Sequence, residues 1–369
     1  MEQMILQDIC KVYDCPHTTA KDEGIGIPLV RTPNIGKGRL LLTNAHRVNS
    51  DIYQERTRRA IPEEDDIIIA REAPVGNAAI IQMGQKVCLG QRVVLLKPIR
   101  DRVDPNYLVY YLLSDEIQHR LRIHANGAVV AHLNMADIRN LPVSLPSLSE
   151  QKKIGRVLKI IDDKIELNRR INDNLEQQAQ AMFKSWFVEN ASYSGVSISE
   201  YFLPNRGKNL LVSDAKGGKT PVVAGGLTPS AFHNVANTKA PVITISASGA
   251  NAGFVNLWGI PVWAADSSYI DSTIVSNIYF WYNLLKYNQK NIYESQTGSA
   301  QPHIYPKHIG NLLIPDLDMR KVECYESIVT SMYLQINEIQ QETKLLTDLR
   351  DTLLPKLMSG ELKINDLNC

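Results

Sequence analysis

The sequence predicts an α+β protein in which two globular, mixed α/β domains are separated by two long antiparallel helices, the whole forming a pseudo-two-fold repeat. Three observations carry that prediction. A polar loop recurs at a fixed offset. Each copy runs into a long segment whose apolar residues step by four and three. Each copy also follows short apolar, strand-like runs and a Tyr/Leu-rich helical segment.

The loop is HANGAVVAHLNMADIRNLPV, starting at His124, and again SQTGSAQPHIYPKHIGNLLIPDL, starting at Ser295. Gly127 and Gly298 stand 171 positions apart, and the same offset carries His132 onto His303, Ile138 onto Ile309, Asn140 onto Asn311 and Leu141 onto Leu312. Pro302 and Pro306 are expected to keep the second loop from becoming helix, and NLLIP to be the buried strand that follows it.

The first long segment runs from Ser149, a good N-cap residue, to Phe187, with no Pro and no Gly after Gly155. Ile154, Leu158, Ile161, Ile165, Asn168, Asn172, Leu175, Ala179, Met182 and Trp186 form a heptad seam with a polar layer at its middle. Its counterpart runs Tyr325, Val329, Met332, Ile336, Ile339, Thr343, Leu346, Arg350, Leu353, Leu357. Two helices of about forty residues would each be about 60 Å long, and their apolar stripes are best covered by packing as an intramolecular coiled coil. The alternative is two helices that each lie on their own globule.

Ahead of the first helix, DDIIIA, AAIIQM and QRVVLLKP read as strands and PNYLVYYLLSDEIQHRL as one helix. Ahead of the second, PVITISAS, GFVNLW and PVWAAD read as strands and SNIYFWYNLLKY as helix. The segments are then 1–148 (globule), 149–190 (long helix), 191–317 (globule, its core starting between Ala191 and Lys208) and 318–369 (long helix).

Composition excludes some classes. Across 369 residues the net charge is +1, so a nucleic-acid surface must be local. No apolar run is long enough to span a bilayer, and MEQMILQDICKVYDC lacks the pattern of a secretory signal. The five scattered cysteines suit reduced thiols, so a cytoplasmic location is expected. Cys10, Cys15 and His17 lack a nearby fourth ligand, and no metal site is expected.

Local charge is more informative. Arg31, Lys37, Arg39, Arg47, Arg56, Arg58 and Arg59 stand against only Asp51 and Glu55. Arg206, Lys208, Lys216, Lys219 and Lys239 stand against Asp214 alone. Each globule therefore has a basic, turn-rich stretch suited to phosphates, interleaved with Asn, Gln, Ser, Thr and His side chains able to read base edges. A duplicated pair of readers also matches the two half-sites of a duplex, about 34–36 Å apart for one turn.

Catalytic patterns fail one by one. GGKT at Gly217 lacks the first glycine of a phosphate loop, because Ser213 stands there, and Pro221 follows. Asp351 with Glu361 and Lys363 has nuclease-like chemistry but no strand to fix it. DPNY at Asp104 lacks the second proline of a base-methylating tetrapeptide, and no glycine-rich cofactor loop accompanies it.

LPSLSEQKKIGRVLKIIDDKIELNRRINDNLEQQAQAMFKSWF resembles the central repeat of the specificity subunit of type I restriction–modification systems, and LRDTLLPKLMSGEL resembles its C-terminal repeat. GSAQPHIYPKHIGNLLIPDL, DDIIIAREAPVGNAAII and APVITISASGANAGFVNLW resemble its target-recognition motifs, so the likeness covers essentially the whole chain. One departure is that the first globule begins almost at Met1, without a long N-terminal arm.

The resemblance implies a non-catalytic subunit whose two target recognition domains each read half of a split double-stranded DNA sequence, with the helices as spacer. It implies as partners two methyltransferase subunits and restriction subunits, which would use S-adenosylmethionine, ATP and Mg; no cofactor is expected on this chain. DNA contacts are expected at Lys37, Thr43, Asn44, His46, Arg47, Arg71 and Arg92 in the first globule. In the second they are expected at Lys216, Lys219, Ser246, Ser248, Asn251, Gln301, His303 and Lys307. Subunit contacts are expected at Arg169, Arg170, Asp173, Gln177, Trp186 and Phe187, although spacing places Trp186 on the seam. Competing readings are a coiled-coil interaction protein that does not bind DNA, a self-sufficient nuclease, and a specificity subunit serving a methylase–nuclease fusion.

Overall fold

The computed structural model describes residues 2–72, 74–124, 132–189, 191–298 and 301–364. Gly127 and its neighbours in the first repeat loop, and Ser299 and Ala300 in the second, lie outside the described residues. The chain divides into two compact units, Met1–Ile165 with Leu345–Cys369, and Glu166–Lys344. Each unit thus combines one globule with part of both long helices.

In the first unit a five-stranded sheet runs in the order Cys10–Asp14, Val93–Pro98, Ile67–Ala70, Ala78–Ile80, Gly38–Arg39. All pairs are antiparallel except the last. Ile67–Ala70 is buried at every position, because the sheet is covered on both faces. Ile67 and Ile69 join a core with Tyr107 and Leu108, whereas Ile68 and Ala70 join one with Val30 and Leu89. The latter two belong to a three-stranded sheet, His46–Val48, Ile27–Val30, Cys88–Leu89, with one antiparallel and one parallel pair.

The expected Tyr/Leu-rich helix is two helices. Pro105–Leu113 starts with Pro at its first turn and is capped by the Asp104 carboxylate, which accepts from the Tyr107 N–H at 2.9 Å. It stops at Ser114, whose backbone is extended and whose hydroxyl donates to the Tyr111 carbonyl. Asp115–His124 then begins with Asp115 and Glu116 in its first turn, where the helix dipole favours negative charge.

The second unit repeats this plan with one strand fewer in its large sheet. Its four-stranded antiparallel sheet runs Asn205–Arg206, Ser267–Asp271, Val242–Ser246, Val255–Trp258. Its three-stranded sheet runs Ala231–His233, Thr220–Val223, Trp263–Ala264, again antiparallel then parallel. Ile243 and Ile245 pack with Phe280 and Leu284 of the buried helix Ile278–Tyr287. The duplication is therefore one of topology, not only of loop sequence.

Two expectations about the second loop are corrected. NLLIP is not a buried strand: Leu313 is 59% exposed and makes a single bridge, to Ser197. In the first unit the matching Pro142–Leu145 does pair, with Glu2–Ile5. In the second unit the Ile198 N–H donates to the Leu312 carbonyl and the Ile314 N–H to the Val196 carbonyl, and the pairing is confined to that bridge. Pro306 does not prevent helix either. It opens Pro306–Gly310 from the first turn, where a missing N–H costs nothing.

The long helices are Leu148–Phe187 and Met319–Ser359. Within the second unit their segments run antiparallel, since the Asn168 amide donates to Glu342 and Thr343, the Tyr325 hydroxyl to the Ala179 carbonyl and Lys321 to the Trp186 carbonyl. Within the first unit the Asp162 carboxylate meets Arg350 at 2.8 Å, while Ile154, Leu158 and Leu357 share the core. Asn168 is fully buried, so the polar layer anticipated in the seam is real.

Candidate nucleic-acid interface

In the first unit the basic stretch folds as the edge of the small sheet. Lys37, Thr43 and Asn44 are exposed, and His46 and Arg47 are half-buried. Both of the latter are tied to the turn before Ile27–Val30. The Arg47 N–H donates to Asp22 at 2.8 Å, its guanidinium donates to the Gly26 carbonyl, and His46 lies 3.9 Å from Asp22. Donation by the Arg47 and Gly24 N–H groups holds the Asp22 carboxyl below its ordinary range. Gly26 has φ +111°, and a Cβ there would lie 2.3 Å from the Val48 carbonyl oxygen, so only glycine lets this turn close. Lys37 lines a different place, a cavity of about 270 Å³ shared with Tyr110, Asp162 and Arg350.

Arg71 and Arg92, both expected to contact DNA, have different placements. The Arg71 side chain is 15% exposed and donates to the Leu133 carbonyl at 2.9 Å and to Asp14 at 3.0 Å. Two of its guanidinium nitrogens are engaged inside the unit, which leaves less of it for the surface than expected. Arg92 is 57% exposed, has φ +66° and pairs with Glu72 at 3.1 Å.

In the second unit the structure brings two expected segments together. The Gly249 N–H donates to the Pro302 carbonyl, the Ile304 N–H to the Ala247 carbonyl, and Ser248 and His303 form a bridge. The turn holding Ser248 and Asn251 therefore sits beside the loop holding exposed Gln301 and half-buried His303, with exposed Lys307 just beyond. His303 stacks on Tyr305 with ring centroids 6.0 Å apart. Ser246 is 4% exposed and is corrected to an interior residue. Lys216 and Lys219 are exposed, and Gly217 and Gly218 between them both take positive φ. A strand, Thr220–Val223, follows them, so GGKT lacks the helix N-terminus that a phosphate loop uses.

Arg206 and Asp266 were missed as site residues. Asp266 accepts from Arg206 at 2.5 Å and from the Ser248 hydroxyl. Arg206 belongs to the basic stretch, but nothing local marks Asp266, which lies 60 positions away.

On the first long helix, Arg169 and Arg170 both donate to Glu166, and Arg169 also to Asp173. The Arg169 hydrogen bond, ahead of that from Arg170, brings the Glu166 carboxyl down to about 2. Gln177 is exposed and Trp186 half-buried. Phe187 is 5% exposed, with its ring 5.0 Å from Phe280 and 5.5 Å from Tyr325, which corrects it from subunit contact to core residue.

Among the described residues no cluster of His, Cys, Asp and Glu is suited to a metal ion, and no helix is long and apolar enough to cross a membrane. What both units offer is the same: a sheet scaffold whose loop ends carry cationic and amide or hydroxyl side chains.

Residues 1–177 match the family model described as the type I restriction modification DNA specificity domain. The chain is 24% identical over 374 residues to the type I restriction enzyme MjaIX specificity subunit of Methanocaldococcus jannaschii, covering 87% of this chain and 82% of that one. It is also 24% identical over 293 residues to a putative type I specificity subunit of Mycoplasma pneumoniae, S.MpnORF638P, covering 74% and 76%. Among solved structures, the S subunit of a type I restriction–modification system from M. genitalium shares the fold, with a TM-score of 0.61 at 20% identity over 96% of this chain and 95% of that one. The fold is the one that S subunit has. Over most of its length the chain is thus similar to type I restriction–modification specificity subunits.

Proposed function

We propose that this chain chooses the DNA sequence for a type I restriction–modification complex and performs no chemistry itself. Each unit binds one half of a split, asymmetric duplex target. Exposed Lys216, Lys219 and Lys307 and half-buried Arg47 neutralise phosphates and set register, while the turn at Ser248–Asn251 and the loop at Gln301–His303 enter the major groove. Methyltransferase subunits dock on the same chain, hold S-adenosylmethionine and flip the target adenine out of the stack. Restriction subunits add ATP- and Mg-dependent cleavage.

The observation that supports this best is the conserved plan with exchanged side chains. Two units that share a strand order over four strands of the large sheet and three of the small one carry unlike residues at matching loop positions. A scaffold kept twice with different readers is what an asymmetric bipartite target calls for.

The test is to map methylated adenines across the genome of the source organism with and without this gene. The expected result is loss of one motif made of two unlike half-sites with a fixed spacer. An unchanged methylation map rules the reading out.

A further inference from the structure

The two units can be superposed in register by their backbone hydrogen bonds alone. In the first, the Ala70 N–H donates to Asn77, Gly76 to Ala70, Arg71 to Arg92, and Leu133 to Arg71. In the second, Ser246 donates to Phe254, Gly253 to Ser246, Ala247 to Asp266, and Ile304 to Ala247. Ala70 thus corresponds to Ser246, Glu72 to Ser248, and Arg92 to Asp266. The neighbouring strand extends the match, because Asp14 pairs with Val94 and Arg206 with Ser268, each two residues past that last position. Asp14 corresponds to Arg206.

Charge is exchanged across this set. The first unit has Asp14, Glu72 and Arg92, whereas the second has Arg206, Ser248 and Asp266. Yet each unit ends with one exposed arginine held by one carboxylate at the same mouth, Arg92 on Glu72 and Arg206 on Asp266. The partner of each is less exposed than the arginine, 24% against 57% and 33% against 42%. A guanidinium tethered through one nitrogen keeps its other donors directed outward. Among the described residues Arg206 has no hydrogen bond from its side chain other than that to Asp266. Asp266 in turn takes the Ser248 hydroxyl, which fixes the turn that pairs with His303.

We propose that Arg206, oriented by Asp266, is a specificity-determining residue that reads a guanine in the half-site bound by the second unit, and that Arg92 on Glu72 is its counterpart in the first. The chemistry is the fork of two N–H donors meeting O6 and N7 of guanine in the major groove, which an untethered arginine must lose entropy to present. Asp266 and Glu72 act as positioning residues and touch no base. This rests on the DNA-reading role proposed above.

The test is selection of binders from a random-sequence duplex DNA library by the full chain and its variants, with thermal unfolding measured in parallel. Wild type is expected to select guanine at one position that Arg206→Lys and Asp266→Asn both relax, by about ten- to hundredfold in preference, the other positions being kept. Arg206→Lys keeps the charge and loses the fork, so its salt dependence should match wild type. A preference unchanged in Arg206→Lys, or one lost uniformly at every position, overturns the proposal while leaving DNA reading intact. If the wild-type chain selects no sequence at all, the DNA-reading role itself falls, and this proposal with it.

Discussion

Glu326 on the second long helix caps another helix: its carboxylate accepts from the backbone N–H of Phe280 at 2.7 Å and of Tyr279 at 3.2 Å. The helix it caps, Ile278–Tyr287, begins at Asn277, which has φ +58° and makes no side-chain cap of its own. The position 171 earlier is Gly155, whose added Cβ would lie 2.6 Å from the Tyr107 nitrogen and 2.7 Å from the Asp104 carboxylate. One unit caps its buried helix locally and needs glycine opposite, and the other imports a cap. Glu326→Ala is expected to cost about 1–2 kcal/mol by orphaning two helix N–H groups. Gly155→Ala is expected to destabilise as well, since backbone stands where the methyl would go. Denaturant midpoints at constant slope measure both, and a silent Glu326→Ala would show the cap to be idle.

The same carboxyl gives a pH dependence with a definite sign. Burial raises the Glu326 pKa above 4.5 despite the two N–H donors, which act in the opposite direction. A folded-state pKa above the unfolded one means that the folded chain binds the proton more tightly. The stabilisation is full below about pH 4.5 and is lost as pH climbs through the folded value. Glu326→Gln keeps an acceptor and removes the titration. The stability difference between variant and wild type should therefore move in favour of Gln between pH 4 and pH 7. Parallel pH–stability curves for the two proteins would contradict this.

How much of this was legible beforehand depends on whether the cause is local. The long helices are, because their seams repeat without interruption and the Asn168 layer sits where the spacing puts it. Ile67–Ala70 is legible as a buried strand from four consecutive apolar residues. NLLIP is not, because apolar composition says nothing about how far a pairing partner extends, and here it gives a single bridge, to Ser197. The break at Ser114 carried a signal in the Asp–Glu pair that follows it, but helical periodicity on both sides masked it. At the candidate site, exposure of the second basic stretch was legible, whereas in the first Arg56 is buried and donates to the Leu89 and Thr18 carbonyls. The fate of single arginines was not, since Arg71 is taken by Asp14 and Arg206 by Asp266 across 57 and 60 positions.

Asp162 is 4% exposed and is held by the Tyr110 hydroxyl at 2.7 Å and by Arg350 at 2.8 Å. A buried carboxylate depends on both partners. Arg350→Met should cost about 3 kcal/mol by stranding that charge, and Tyr110→Phe about 1 kcal/mol. The double change Asp162→Asn with Arg350→Met should recover part of the loss, because no isolated charge is left behind. Chemical unfolding of wild type, Asp162→Asn, Arg350→Met and the double variant forms a double-mutant cycle. Additive losses would mean that the two side chains do not depend on each other.

Arg71 and Lys219 separate what is structural from what binds. Arg71 donates into its own unit, so Arg71→Ala should lower stability by about 1–3 kcal/mol and leave the Asp14 carboxylate with His17 alone, without changing how DNA affinity falls with salt. Lys219 is exposed beside two positive-φ glycines, and Lys219→Ala should leave the unfolding midpoint in place. Its DNA affinity should fall by a similar factor for every sequence, and the slope against log salt should shrink by about 0.9 for the one lost phosphate contact. Ser246→Ala offers the internal control. Its hydroxyl is buried without a partner among the described residues, so removing it should preserve both slope and sequence preference and leave stability equal or slightly higher. Titrations of several duplexes of different sequence at several salt concentrations, alongside unfolding curves, read all three. A reduced slope in Arg71→Ala with unchanged stability would return that arginine to the binding surface.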